Sequence, residues 1–121
     1  HVIIMPDADL NQAVKALQAS AFGCAGERCM AGSIAVPVGR IADSLVEGLC
    51  NIGKNMKVGP TDGATDIDMG PLITREHRDR VAGYLDVAKS EGADVALDGR
   101  AFDLPGNGFL LGPSVVDKVT P

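Results

Sequence analysis

Aromatic side chains are scarce in this sequence, and this and other absences narrow its class. Its 121 residues include no Trp, one Tyr and three Phe, so a core must be built from Ala, Val, Leu and Ile. No apolar run approaches the ~18 residues that a membrane-spanning helix needs, and no charged start precedes an apolar segment as in a signal peptide. We therefore expect about one globular domain with no membrane partner.

Basic residues are fewer than acidic ones, with 11 Lys and Arg against 16 Asp and Glu. The formal net charge of −5 gives no basic field, which argues against nucleic-acid binding. Three cysteines make an odd count, which argues against a disulfide framework and favours a reducing, cytoplasmic location. Neither common Gly-rich phosphate-binding pattern occurs, so the sequence predicts no nucleotide site of its own.

The hydrophobic pattern alternates short apolar runs with amphipathic helices. Asp7 to Asp9 open a helix that Gly23 ends, and Thr74 is a plausible N-cap for a helix that Gly92 stops. The predicted order is β-α-β-α-α-β-β, which favours an α/β sheet. Strands are expected at 2–5, 33–38, 93–97 and 109–116, further helices at 41–55 and 75–91, and loops at 59–71 and 100–108.

The segment 22–33, FGCAGERCMAGS, places Cys29 between a helix and a strand, among residues small enough for a substrate to approach. A thiolate needs local positive potential, which Arg28 and the N–H groups of a Gly-rich turn can supply. Such a thiolate can attack an aldehyde carbonyl. Judged on spacing alone, the plainer alternative of a small apolar residue in a turn is favoured.

Other candidate groups have plainer explanations. Arg28 suits either a fork for a substrate carboxylate or an ion pair with Glu27. Cys24 and Cys29 are separated by four residues with no further ligands nearby, so no metal site is predicted, and Cys24 is expected to pack under the loop. Cys50 is expected to be inert core.

Two charged segments are expected to be solvated surface. The run 75–80, which includes His77, mixes charges of both signs at the start of a helix. Asp62, Asp66 and Asp68 lack the spacing of a calcium-binding loop, so they too predict no metal site.

The segment 22–33, FGCAGERCMAGS, resembles the cysteine active-site signature of the aldehyde dehydrogenase superfamily. The flanking segments HVIIMPDADLNQAV, MGPLIT and GFLLGPSVVDKVTP resemble family segments in the expected order, so the resemblance covers essentially all 121 residues. The positions that fit the signature are Phe22, Gly26, Glu27, Cys29, Ala31 and Ser33.

The resemblance implies that residues 1–121 are the central part of a catalytic domain. Its fold would be an open, mostly parallel sheet with flanking helices, and the NAD-binding domain would be absent. Cys29 would be the catalytic nucleophile of a parent enzyme that uses NAD and acts on a small-molecule semialdehyde. The parent is expected to be a homo-oligomer, dimer or tetramer. The 121-residue piece alone is expected to bind no cofactor and to be inactive.

The segment GERCMA is similar to the methylmalonate-semialdehyde dehydrogenase branch of the superfamily. In that branch the position of Arg28 helps to hold the substrate carboxylate, and coenzyme A takes the acyl group to give acyl-CoA. Two alternatives stay open. One is a hydrolytic NAD(P)-dependent aldehyde dehydrogenase acting on another semialdehyde, and the other is a non-catalytic module with the same fold.

Overall fold

A computed structural model describes residues 1–63, 66–106 and 108–120. The predicted order β-α-β-α-α-β-β is confirmed. Positions 64–65 and 107, inside the predicted loops 59–71 and 100–108, lie outside the described residues, as does position 121. The elements are β1 (Val2–Ile4), α1 (Leu10–Leu17), β2 (Ala35–Pro37), α2 (Ala42–Lys54), α3 (Arg75–Ser90), β3 (Asp94–Leu97) and β4 (Val115–Asp117).

The first half of the chain is a β-α-β unit. β1 and β2 pair in parallel, with Val2 opposite Ala35, and α1 makes the crossover that a parallel pair requires. The Asp9 carboxylate caps α1 by accepting a hydrogen bond from the Gln12 N–H at 2.9 Å. Beyond α1 the chain continues as a wider π-helical turn, Gln18–Phe22, and Gly23 ends the helical stretch as predicted.

The main core lies between this unit and α2. Leu45 is its most buried member, with 1% of its surface exposed. Helix α2 approaches α1 closely because Gly48 carries no side chain: a Cβ there would lie 2.7 Å from a methyl group of Val14. The buried members of this cluster are Ile4, Val14, Leu17, Ile41 and Leu45.

Helix α2 joins the two halves of the molecule, since its other side packs against β3 and β4. Those strands pair antiparallel, with Asp94 opposite Asp117. The cap of α3 is confirmed, because the Thr74 hydroxyl accepts a hydrogen bond from the His77 N–H at 3.1 Å. The described strands thus form one parallel and one antiparallel pair, flanked by helices in the α/β manner that the sequence predicts.

The predicted strand at 109–116 is wrong over most of its length. Only Val115–Asp117 is strand, and the preceding residues form buried irregular structure. The Gly112 N–H donates to the Gly99 carbonyl at 3.1 Å, and Pro113 has no N–H to give to a ladder. The apolar run therefore packs as a buried connection, which apolarity alone does not distinguish from a strand.

The outer face of the β1–β2 pair is apolar and open to solvent. Ile3 is 67% exposed and Met5 53% exposed. Side chains alternate between the two faces of a strand, so this face is opposite the one on which Ile4 enters the core. Across the residues that the structure describes, no helix combines the length and apolarity needed to cross a membrane.

We predict that Gly99→Ala lowers the free energy of unfolding by about 2 kcal/mol, because the new side chain has no room. A Cβ at Gly99 would lie 1.9 Å from the Gly112 carbonyl oxygen, which is backbone and cannot step aside. Gly83→Ala is the matched control, because Gly83 lies inside α3 and a Cβ there would have nothing within 4 Å. This substitution should raise the free energy of unfolding by about 0.5–1 kcal/mol. Urea titration measures both; equal effects would contradict the packing described.

Acid stability should depend on Asp98. Arg100 donates hydrogen bonds to this carboxylate, the shortest from Nη2 at 2.7 Å, and lowers the pKa of Asp98 from 3.8 to about 2. A carboxyl group whose pKa falls on folding adds stability that is present above its unfolded pKa and disappears as the pH drops through the folded value.

Asp98→Asn should therefore cost about 1 kcal/mol near neutral pH, a figure reduced for solvent screening. The difference from the wild type should vanish as the pH falls from ~4, the unfolded pKa, to about 2. Asp103→Asn, which removes an exposed carboxylate, is the control. Urea titrations across this range test the prediction, and a difference independent of pH would contradict it.

Candidate active site

Cys29 is reached through an unusual turn at the end of α1. Three successive residues have left-handed backbone: Cys24 with φ 52°, Ala25 with φ 54° and Gly26 with φ 74°. Only glycine adopts this conformation freely, so Cys24 and Ala25 are strained. The sequence predicted an irregular Gly-rich segment here, but nothing in it indicated left-handed backbone at Cys24 and Ala25.

The next turn presents the Cys29 thiol to solvent. The Ala31 N–H donates to the Arg28 carbonyl at 3.1 Å, which closes a turn with Cys29 and Met30 at its centre. The Gly32 N–H donates to the Ser20 hydroxyl at 2.8 Å and so ties this turn to the end of α1. Cys29 is exposed, so its thiol is accessible to small molecules in solution.

Arg28 points back toward the left-handed residues. Its Nε–H donates to the Cys24 sulfur at 3.3 Å, and this contact raises the pKa of Arg28 above its usual value. The guanidinium lies over Gly23, where a Cβ would be 3.0 Å from Cζ. Within the described part of the chain its terminal nitrogens make no hydrogen bond to protein, so they face solvent.

The ion pair between Arg28 and Glu27, one of the two alternatives from sequence, does not form. The nearest partner of Glu27 is instead His77, whose Nε2 lies 3.4 Å from Oε1. His77 was expected on a solvated face, yet its side chain is only 34% exposed and Nδ1 lies 2.9 Å from Nη2 of Arg80. The contact between His77 and Glu27 joins α3 to the loop that carries Cys29. The sequence did not predict this contact, because the two residues are far apart along the chain.

The thiols of Cys24 and Cys50 differ in their exposure to solvent. The expected packing role of Cys24 is wrong, because its left-handed backbone leaves the thiol exposed beside Arg28. The prediction for Cys50 is confirmed: it is buried on α2, and burial raises the pKa of its thiol. Over residues 1–63, 66–106 and 108–120, no group of three or more His, Cys, Asp and Glu side chains is placed to hold a metal ion.

Two cavities lie beside the segment before Cys29. One, of about 140 Å³, is lined by residues of α1, β2, α2 and β4, and the other, of about 210 Å³, includes Phe22 and Ala25. Cys29 lines neither of them. The thiol therefore faces the surface of this chain rather than a closed pocket within it.

Residues 1–121 match the family model described as the aldehyde dehydrogenase family. This chain belongs to the aldehyde dehydrogenase family. The malonate-semialdehyde dehydrogenase of Pseudomonas aeruginosa is 46% identical over 124 residues, a match that covers 100% of this chain and 25% of that protein. The chain thus spans about a quarter of the length of the curated relatives it matches.

Solved structures of other aldehyde dehydrogenases confirm the fold. The methylmalonate-semialdehyde dehydrogenase (DddC) of Oceanimonas doudoroffii superposes with a TM-score of 0.92 at 46% identity, over 99% of this chain and 25% of that one. Betaine aldehyde dehydrogenase from Staphylococcus aureus, solved with NAD+, gives 0.87 at 36% identity, over 95% and 23%. The superfamily resemblance and the expected partial α/β domain are both confirmed.

Alkylation should separate the three thiols. We predict that iodoacetamide modifies Cys24 and Cys29 in the native chain and modifies Cys50 at least ~10-fold more slowly, because Cys50 is buried and its thiolate is disfavoured. Trypsin cleaves after Lys15, Arg28 and Arg40, so each thiol falls in a separate peptide for mass spectrometry. In urea the three rates should converge. Native labelling of Cys50 as fast as Cys29 would contradict the structure.

Proposed function

We propose that this chain is the nucleophile-bearing part of an NAD-dependent, CoA-acylating dehydrogenase of malonate or methylmalonate semialdehyde. The observation that carries the proposal is the exposed Cys29 on a pinned turn, directly after an arginine with free terminal nitrogens. Relatives that bear these substrates in their names match the whole chain at 46% identity. A homo-oligomeric parent and a cytoplasmic location stay predictions.

The first chemical step uses the Cys29 thiolate. Its sulfur forms a bond to the aldehyde carbon, and the carbonyl electron pair moves onto oxygen. The N–H of Cys29 donates no backbone hydrogen bond within the described residues, so it is available to stabilise that oxyanion. The nucleophile and one oxyanion donor thus come from one residue, held by the turn that Ala31 and Gly32 close.

Arg28 suits the far end of such a substrate. A malonate or methylmalonate semialdehyde carries a carboxylate two bonds from its aldehyde carbon, within reach of a side chain next to the nucleophile. A guanidinium can bind a carboxylate through two parallel hydrogen bonds, and both terminal nitrogens of Arg28 are left for that role. A substrate without the carboxylate would lose this contact.

We propose that this chain contributes no dinucleotide site of its own. Neither common Gly-rich phosphate-binding pattern is present, so we propose that the remaining length of the parent binds NAD. In the complete enzyme the chemistry that NAD supplies is acceptance of a hydride from the Cys29 adduct, which leaves a thioester. Coenzyme A would supply the thiol that accepts the acyl group, and Cys29 would leave as a thiolate once the thiol proton has been lost to solvent.

The exposed apolar face of the β1–β2 pair supports this placement within a larger protein. Ile3, 67% exposed, lies opposite Val36, 43% exposed, and Met5, 53% exposed, follows two residues after Ile3 on the same face. Contiguous exposed apolar surface marks places where a protein is covered by something else. We propose that the rest of the parent covers it.

In the full-length dehydrogenase, Cys29→Ala should lower kcat with malonate semialdehyde, NAD and coenzyme A by at least ~10³-fold, since it removes the nucleophile. Cys50→Ala, which removes the buried thiol, should keep kcat within about threefold. NADH absorbance measures the rate, and chromatography identifies the product as acyl-CoA. Substantial activity in Cys29→Ala would contradict the proposal. Free acid as the product in the presence of coenzyme A would favour the hydrolytic alternative.

The 121-residue chain alone should reduce no NAD in the same assay, because we place the dinucleotide site in the rest of the parent. Adding an excess of NAD should not change this outcome. Measurable NADH formation by the purified chain would show that residues within it bind the cofactor. That result would overturn the proposal that the rest of the parent binds NAD.

A further inference from the structure

The guanidinium of Arg28 is held from two sides, and neither contact involves a substrate. The Cys24 sulfur accepts a hydrogen bond from Nε at 3.3 Å, and Gly23 gives the flat guanidinium a surface to lie against. Both contacts come from the segment that immediately precedes the Cys29 turn. An exposed arginine without such contacts samples many rotamers, and binding a ligand then requires that freedom to be lost.

We propose that Cys24 and Gly23 are positioning residues that hold Arg28 ready for the substrate carboxylate. This inference rests on the function proposed above for Arg28. The Nε contact leaves both terminal nitrogens free, which is the half of the guanidinium that a carboxylate would engage. Cys24 therefore restrains Arg28 without competing for the face that binds substrate.

The strained backbone fits this role. Cys24 and Ala25 adopt left-handed conformations that cost free energy in residues other than glycine. That conformation brings the Cys24 sulfur to Arg28, four residues further on and outside any α-helix. Gly23 itself has φ −55°, which any residue can adopt, and the three atoms nearest a Cβ at Gly23 all belong to the guanidinium that the new side chain would displace.

The positioning can be tested on the chain itself, without catalysis. The heteronuclear NOE of the Arg28 Nε–Hε group, assigned by its loss in Arg28→Lys, should indicate an ordered side chain relative to exposed Arg40. Cys24→Ala and Gly23→Ala should both bring Arg28 to the mobility of Arg40. Cys24→Ser, which keeps an acceptor, should preserve much of the order, and Gly83→Ala should change nothing. An Arg28 as mobile as Arg40 in the wild type, or equally ordered in Cys24→Ala, would overturn the inference.

The consequence for specificity is tested in the full-length dehydrogenase by comparing malonate semialdehyde with propanal, which has no carboxylate. Cys24→Ala should raise KM for malonate semialdehyde about threefold to tenfold, the effect of having to immobilise one long side chain on binding. This rise should exceed the change in kcat and the change in KM for propanal, whereas a general loss of structure would affect both substrates alike.

Arg28→Ala separates this inference from the proposed function. A selective rise in KM for malonate semialdehyde in Arg28→Ala but not in Cys24→Ala would overturn the positioning role and leave the role of Arg28 intact. No selective effect in Arg28→Ala would overturn the role of Arg28 and, with it, the consequence drawn for Cys24. Selective rises in both variants, larger in Arg28→Ala, are the result that we expect.

Discussion

The way the chain leaves α1 is the constraint on which the candidate site depends. Between α1 and β2 the backbone must turn out to the surface, expose one thiol and return to pair with β1. It does so through the left-handed residues Cys24 to Gly26 and the turn centred on Cys29. Left-handed backbone costs roughly 1–2 kcal/mol in each residue other than glycine, so the surrounding structure must offset the strain at Cys24 and Ala25.

The core beneath α1 supplies that offset. Val14 and Leu17 anchor α1 against Leu45 of α2, and each fully buried aliphatic side chain contributes about 1.5–3 kcal/mol. With α1 fixed, the Ser20 hydroxyl is fixed as well, and it holds the far end of the Cys29 turn through Gly32. The buried core under α1 thus fixes the position of the exposed turn that carries Cys29. Strain concentrated next to a candidate nucleophile is common at functional sites, where structure elsewhere maintains it.

Sequence reasoning succeeded where the signal is local. The cap at Thr74, the stop at Gly23 and the burial of Cys50 all follow from residues within a few positions of each other. The strand predicted at 109–116 failed because the apolar run is interrupted by a contact between Gly112 and distant Gly99. Periodicity contains no information about such a contact.

In the candidate site, too, local features were predicted and contacts between distant residues were not. The superfamily signature indicated Cys29, and the similarity to one branch indicated Arg28. The direction in which Arg28 points depends on left-handed backbone at Cys24 and Ala25, which their side chains do not favour. The contact between Glu27 and His77 joins residues far apart in sequence and could be found only once α3 was placed. The family and the candidate residues were therefore indicated by sequence, whereas the arrangement of the side chains around them was not.

We propose that Cys29, and not its exposed neighbour Cys24, carries the acyl group. The direct measurement is to incubate the full-length dehydrogenase with malonate semialdehyde and NAD without coenzyme A, quench with acid, and digest with trypsin. Cleavage after Arg28 separates the two thiols into different peptides. We expect an acyl mass increase on the peptide that begins at Cys29. Addition of coenzyme A before the acid quench should remove this mass increase. An acyl group on the Cys24 peptide, or on neither, would contradict this proposal.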